Sequence, residues 1–163
     1  MSNLSETAII QNPALGAFTL WKFGLGFQSD NGTPAALPLL FLVLPLLFHK
    51  QTRDVIESTR KVSGLALFAA KLGEDRENLL AVHERALVLR KLTLDSLTLG
   101  IRGGLLSVDY LAATVRANTL LANEAKLALP ERLKTLPASA DKVGCWFSKA
   151  NINQLATALR VEF

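Results

Sequence analysis

The sequence predicts a mainly helical protein with a winged-helix-like element and one small β-hairpin. Three observations lead to this fold class. The run 35–48 has no charged or hydrogen-bonding side chain, which is typical of a helix buried on all sides. Most other segments have apolar residues at helical spacing, and only residues 105–116 alternate as strands do. We expect a single domain over 1–163, with N-terminal helices at 12–50 packed on the winged-helix-like region 63–118, and C-terminal helices at 119–160.

Composition restricts the class of protein. Half of the 163 residues are hydrophobic, and 18 Lys and Arg side chains against 14 Asp and Glu give a net charge of +4. This small excess permits contact with nucleic acid without indicating it. The single cysteine, Cys145, excludes an intrachain disulfide and fits a reducing cytoplasm. The apolar run is shorter than the ~20 residues of a membrane helix and starts too late for a signal peptide. We therefore expect a cytoplasmic protein with no membrane association.

The N-terminal helices are predicted from their start and stop residues. After a polar arm at 2–11, Asn12 can cap a helix whose first position is Pro13. Glycines among the aromatic residues of this helix predict close approach of its backbone to the central run. A turn at 29–34 leads into that run, where Pro38 suits the first turn and Pro45 should kink the helix or end it early.

A charged segment follows at 49–61 and has two interpretations. It is either a solvated loop with a short helix around Val55 and Ile56, or a basic rim that contacts phosphates or acidic partner residues. The candidate contacts of such a rim are Lys50, Arg53, Arg60 and Lys61.

The middle of the chain predicts the winged-helix order. A short helix at 65–72 ends at Gly73, and a longer one at 74–90 should bury Leu79, Leu80, Ala86 and Leu87 with His83 as a satisfied core group. A break at 91–93 lets Thr93 cap a helix at 94–102, for which we expect Leu94, Leu97 and Ile101 to face inward. A glycine pair and a hairpin at 105–109 and 113–116 complete the order.

The C-terminal part predicts four further helical segments. They are a helix at 120–129 stopped by Pro130, a short basic helix at 131–136 stopped by Pro137, a helix at 139–150, and a last turn capped by Asn151 or Asn153.

No catalytic motif is found in the sequence. Gly100–Gly104 lacks the Lys-Ser/Thr of a phosphate-binding loop, and His49 and His83 have no metal-ligand spacing to each other or to Cys145. Cys145 lies beside Trp146 and Phe147, which favours a buried thiol over a nucleophile. We therefore predict a non-enzyme without a cofactor or metal.

Three blocks of sequence carry a resemblance to a known family. They are Asn12–Ala17 with Trp21-Lys22-Phe23, Leu44–Lys50 with Thr52-Arg53, and Glu84–Leu106 with its Leu92–Leu97 core, followed by Val143-Gly144-Cys145-Trp146-Phe147. In this order the chain resembles the middle component of bacterial three-component ABC systems, a group that overlaps the Lamassu-type anti-phage defences. The resemblance implies an accessory subunit between an SMC/Rad50-like ABC ATPase and an effector, typically a nuclease, with DNA contacted mainly through the complex. It supplies no catalytic residue.

Two functions therefore remain open. The first is a scaffold docked on the ABC ATPase, and the second is a free-standing winged-helix DNA-binding regulator. The helix at 94–102 should present Asp95, Ser96, Thr98, Leu99 and Arg102 outward, a set poor in the side chains that read base edges. For the docking hypothesis the candidate partner contacts are Trp21, Leu99, Trp146 and Phe147, although both tryptophans also suit a plain core role.

Overall fold

The computed structural model describes residues 11–119 and 128–163. In chain order the helices are α1 (Pro13–Phe27), α2 (Leu37–Leu47), α3 (Lys50–Ser58), α4 (Gly64–Gly73), α5 (Arg76–Val88), α6 (Arg90–Arg102), α7 (Leu136–Ser148) and α8 (Ile152–Leu159). The strands are β1 (Ala35–Ala36), β2 (Leu106–Asp109) and β3 (Thr114–Ala117), in one antiparallel sheet of order β1-β3-β2. The predicted mainly helical class with a small hairpin is confirmed. The predicted arm at 2–11 and helix at 120–129 fall mostly outside the described residues.

Helix α2 forms the centre of the core, as the apolar run predicts. Leu40, Val43, Leu44, Leu46 and Leu47 are fully buried there. Pro38 lies in the first turn, and Pro45 lies inside the helix, which ends soon after it at Leu47. None of the helices in the described part of the chain has the length and hydropathy needed to cross a bilayer.

Helices α1 and α7 pack with their backbones in direct contact. A Cβ atom on Gly26 would overlap the carbonyl oxygen of Asp141, and one on Gly144 would overlap that of Phe23. Beside this crossing, the rings of Phe23 and Phe147 meet edge to face with centroids 5.6 Å apart. The close approach expected of α1 therefore exists, but at Gly26 its partner is α7 and not the central helix.

The inward face of α6 differs from the prediction. Helices α5 and α6 meet at Leu89, so the expected break at 91–93 and the cap at Thr93 are wrong. The buried positions are Leu92, Thr93, Ser96, Leu97 and Gly100, whereas Leu94 and Ile101 are exposed. The buried face of α6 is set by its contact with α1. The two helices lie so close that a Cβ atom on Gly16 of α1 would overlap Ser96 Oγ of α6. Such close packing requires small side chains on the buried face, and a prediction based on the spacing of large apolar residues does not identify them.

The sheet contains one strand more than predicted. The hairpin formed by β2 and β3 is confirmed, and it follows α5 and α6 in the expected element order. The additional strand is β1, in which Ala35 pairs with Val115 and Ala36 with Thr114. The N–H of Leu37 also donates to the Ala113 carbonyl at 2.8 Å. The central helix therefore begins directly at the sheet.

The C-terminal segments are shifted relative to the prediction. The short helix expected at 131–136 is a 3-10 turn, Glu131–Leu133. Pro137 lies in the first turn of α7, so it begins that helix rather than ending the previous one. Asn151, not Asn153, caps α8 through a capping box with Gln154.

The α1–α7 crossing predicts a strong effect of one methyl group. Gly144→Ala should lower the free energy of unfolding by about 3 kcal/mol, because the new Cβ meets backbone that cannot move aside. Gly73→Ala is the matched control, since its nearest new contact is the end of Leu79 at 3.7 Å. Urea unfolding followed by circular dichroism measures both. Equal midpoints for the two variants would contradict this account of the crossing.

Candidate partner-binding surface

The three aromatic candidates for partner contact lie in the core. Trp21, Trp146 and Phe147 are all buried. The indole N–H of Trp21 donates to the Asn118 carbonyl at 3.1 Å, and that of Trp146 donates to the Lys61 carbonyl at 2.9 Å. Burial removes these side chains from the surface that a partner can contact in this fold.

Leu99 is the candidate that does lie on the surface. Its side chain is 42% exposed on α6, together with the exposed Leu94 and Ile101. The outward face of this helix also carries Lys91 and Asp95, which form an ion pair at 2.8 Å.

The four basic candidates do not form a continuous rim. Arg53 is only 3% exposed, and its Nη1 donates to the Leu47 carbonyl at 2.9 Å. Lys50 pairs with Asp54 at 2.9 Å on the surface of α3. Lys61 pairs with Asp141 at 2.9 Å, and that hydrogen bond raises the pKa of Lys61. Arg60 is exposed. Arg53 therefore acts inside the protein, on the end of α2.

An exposed apolar ridge on α5 is the surface that sequence reasoning missed. We call Leu80, Leu87 and Val88, with Glu84 between them, the α5 ridge. Leu87 is 60% and Val88 78% exposed, and Leu80 is also exposed. The expectation that Leu80 and Leu87 face the core is wrong, because Asn78 and Val82 occupy the buried side of the helix.

Two grooves flank the α5 ridge. The first groove has a volume of about 590 Å³ and is lined by Pro45, Phe48, His49, Ala81, Glu84, Arg85, Leu87, Val88 and Leu89. The second has a volume of about 320 Å³ and is lined by Leu37, Pro38, Phe41, Leu42, His83, Ala86, Leu87, Arg90, Val161, Glu162 and Phe163. Leu87 borders both. A ridge between two grooves is the shape on which the side chains of another helix pack.

The first groove is lined by a half-buried cation, the guanidinium of Arg85. Its guanidinium donates to the Pro45 carbonyl, to Asn78 Oδ1 and to Thr52 Oγ1, each at 3.3 Å. All three acceptors are neutral, and no carboxylate of residues 11–119 or 128–163 lies within ion-pair distance of it. Burial lowers the pKa of Arg85. The side chain still stays charged at neutral pH, because the ordinary pKa of an arginine lies far above 7.

His83 lies at the edge of the second groove. Its Nδ1 accepts a hydrogen bond from the backbone N–H of Glu162 at 3.3 Å, so the ring joins α5 to the irregular segment after α8. Cys145 is buried, and the described residues contain no group of three metal-ligating side chains.

The fold and the α5 ridge define a small, mainly helical protein with an exposed apolar surface. A comparison with protein families supplies its class. The chain belongs to the family described as ABC-three component (ABC-3C) system Middle Component 3, whose model matches residues 2–163. No curated protein and no solved structure matches it. Membership implies an accessory role as the middle component of such a system, in partnership with its other components.

The burial of Trp146 predicts opposite results at two of the candidate positions. Trp146→Ala should lower the free energy of unfolding by about 3–5 kcal/mol, because the indole is buried and stacks on Phe68 at 5.2 Å. Leu99→Ala should change it by less than about 0.5 kcal/mol, since a surface side chain loses little packing. Thermal and urea unfolding measure both values. A Trp146→Ala variant as stable as Leu99→Ala would show that the tryptophan is not a core residue.

Proposed function

We propose that this chain is a non-catalytic scaffold subunit that docks on an SMC/Rad50-like ABC ATPase. It couples that ATPase to an effector nuclease in an anti-phage or anti-plasmid defence complex of the Lamassu type, located in the cytoplasm. The observation that carries the proposal is the α5 ridge, an exposed apolar surface on a chain of the middle-component family.

The ridge supports docking for a physical reason. Leucine and valine side chains left in water keep an unfavourable hydration free energy that contact with another apolar surface removes. Single exposed apolar residues are ordinary, but here Leu80, Leu87 and Val88 share one helix face, Leu87 and Val88 line the first groove, and Leu87 also lines the second. Clusters of exposed apolar side chains with a polar residue among them are typical of protein–protein interaction sites.

The geometry also favours docking over independent DNA recognition. A winged-helix regulator would read DNA with α6. The element order α5, α6 and hairpin is compatible with such a regulator. On α6, however, the Lys91 ammonium is already paired with Asp95, and Leu94, Leu99 and Ile101 are the exposed apolar residues. Ser96, which was expected to face outward, is buried. DNA is therefore contacted mainly through the assembled complex.

Co-expression tests the proposed function directly. We expect the chain to co-purify with the ABC ATPase encoded beside its gene and to migrate with it as one species in size-exclusion chromatography. An effector encoded there should join the same species. Separate elution of this chain from every neighbouring gene product, at concentrations of ~10 µM, would reject the role of middle subunit.

The isolated chain should bind duplex DNA weakly. At physiological salt we expect a Kd of about 10⁻⁵ M with no sequence preference, as for non-specific contact with phosphates. Fluorescence anisotropy with two unrelated duplexes measures it. Nanomolar binding to one duplex but not the other would favour the regulator instead.

A further inference from the structure

We infer that the first groove receives an amphipathic helix of the ABC ATPase component, with an acidic side chain of that helix paired to Arg85. The inference rests on the proposed function and adds the surface and the chemistry of the partner. Two independent features of the groove carry it: the apolar ridge at its edge, and the Arg85 cation in its wall, which has no carboxylate partner among residues 11–119 and 128–163.

The shape of the surface selects a helix as the occupant. Leu87 and Val88 stand out from α5 at the edge of the first groove, Leu87 also borders the second, and Leu80 lies about two turns earlier along the same face. A partner helix that lays its own apolar stripe beside this ridge fills both grooves with side chains at spacings of three and four residues. An extended strand would need a free sheet edge, and the ridge is helical.

The charge of the groove selects an acidic residue. Arg85 is half-buried, and its three hydrogen bonds within the described residues use three of the five N–H donors of a guanidinium. While the groove is open, water solvates the remaining donors. A partner that covers the groove removes this water, and an unpaired buried cation is strongly unfavourable. The partner must therefore bring an anionic acceptor, and a carboxylate fits the planar guanidinium with two parallel hydrogen bonds.

Other charged groups near the grooves do not supply that acceptor. Glu84 is exposed on the ridge and makes no ion pair with Arg85 within the described residues. Glu162 lines the second groove, on the opposite side of Leu87, together with Arg90 and His83. A nucleic-acid phosphate is also anionic, but the lining of Pro45, Phe48 and Val88 offers apolar contact that a phosphate backbone does not use.

The ridge is tested with exposed substitutions that leave the fold intact. In the co-purified complex, Leu87→Ser and Val88→Ser should each weaken binding of the ATPase component at least tenfold, while the melting temperature of the free chain stays within about two degrees. Val62→Ser is the matched control, because Val62 is also exposed but lines neither groove, and it should bind like the wild type. Wild-type affinity in both ridge variants, with the complex still formed, would overturn the inference and leave the proposed function standing.

The sign of the partner's charge is tested with adjacent residues. Arg85→Met keeps an apolar stem but removes the charge, and we expect at least a thirtyfold loss of affinity for the ATPase component. Glu84→Gln should bind the ATPase component more tightly than the wild type does, because it removes a carboxylate near the incoming acid. The opposite pattern, a loss with Glu84→Gln and none with Arg85→Met, would identify a basic partner segment and overturn the inference.

Two controls separate folding and DNA binding from the partner contact. Circular dichroism reports whether Arg85→Met folds, and if it does not, Arg85→Lys replaces it and should lose affinity through the missing second hydrogen bond. Duplex DNA titrated against wild type and Arg85→Met should give equal affinities. Loss of DNA binding with the ATPase affinity unchanged would assign the groove to phosphate and overturn the inference. Absence of any complex with the wild type would instead reject the proposed function.

Discussion

The fold depends on how the C-terminal end of α2 is satisfied. This helix is apolar along its length and its last residues are buried, so its last carbonyl groups need hydrogen-bond donors from the protein. Arg53 donates to the Leu47 carbonyl and Arg85 to the Pro45 carbonyl. Cations are favourable at the negative end of a helix dipole, which helps to hold Arg53 there and to hold Arg85 while the first groove is open to solvent. Because Arg53 belongs to α3 and Arg85 to α5, the same contacts fix both helices against the core.

The large elements were predictable because strong local signals mark them. Asn12 caps α1 by accepting from the Leu15 N–H, and the apolar run forms α2. The errors occurred where tertiary contacts decide between two faces of a helix. On α6 the inward positions are set by the small residues Ser96 and Gly100, which fit against α1 where a leucine would not. Strand β1 has only two alanines and depends on pairing with β3, so no local pattern reports it.

The candidate site was less predictable than the fold for a related reason. Aromatic residues are frequent both in interfaces and in cores, and composition alone cannot separate the two, so Trp21 and Trp146 remained open until their burial was known. For Leu80 and Leu87 the prediction was wrong in the opposite sense. Apolar residues on a helix are expected to face the core, but these two are exposed. The anchoring of Arg85 at α2 turns α5 so that these leucines face water. The one signal in the sequence was an excess of apolar residues on α5, more than a single buried stripe can use.

Because α1 packs on α7 through the glycine crossing, α1 can complete its packing only after a segment much later in the sequence has been synthesised. Helix α1 cannot bury its Gly26 side until residues 136–148 have left the ribosome, more than a hundred positions later. Until then Phe23 lacks its contact with Phe147, and the incomplete chain exposes apolar surface that is prone to aggregation and is a substrate for chaperones. A contact so distant in sequence also slows folding, since a long loop must close before the helices meet. The chain can therefore complete this part of its core only after the α7 segment has been synthesised.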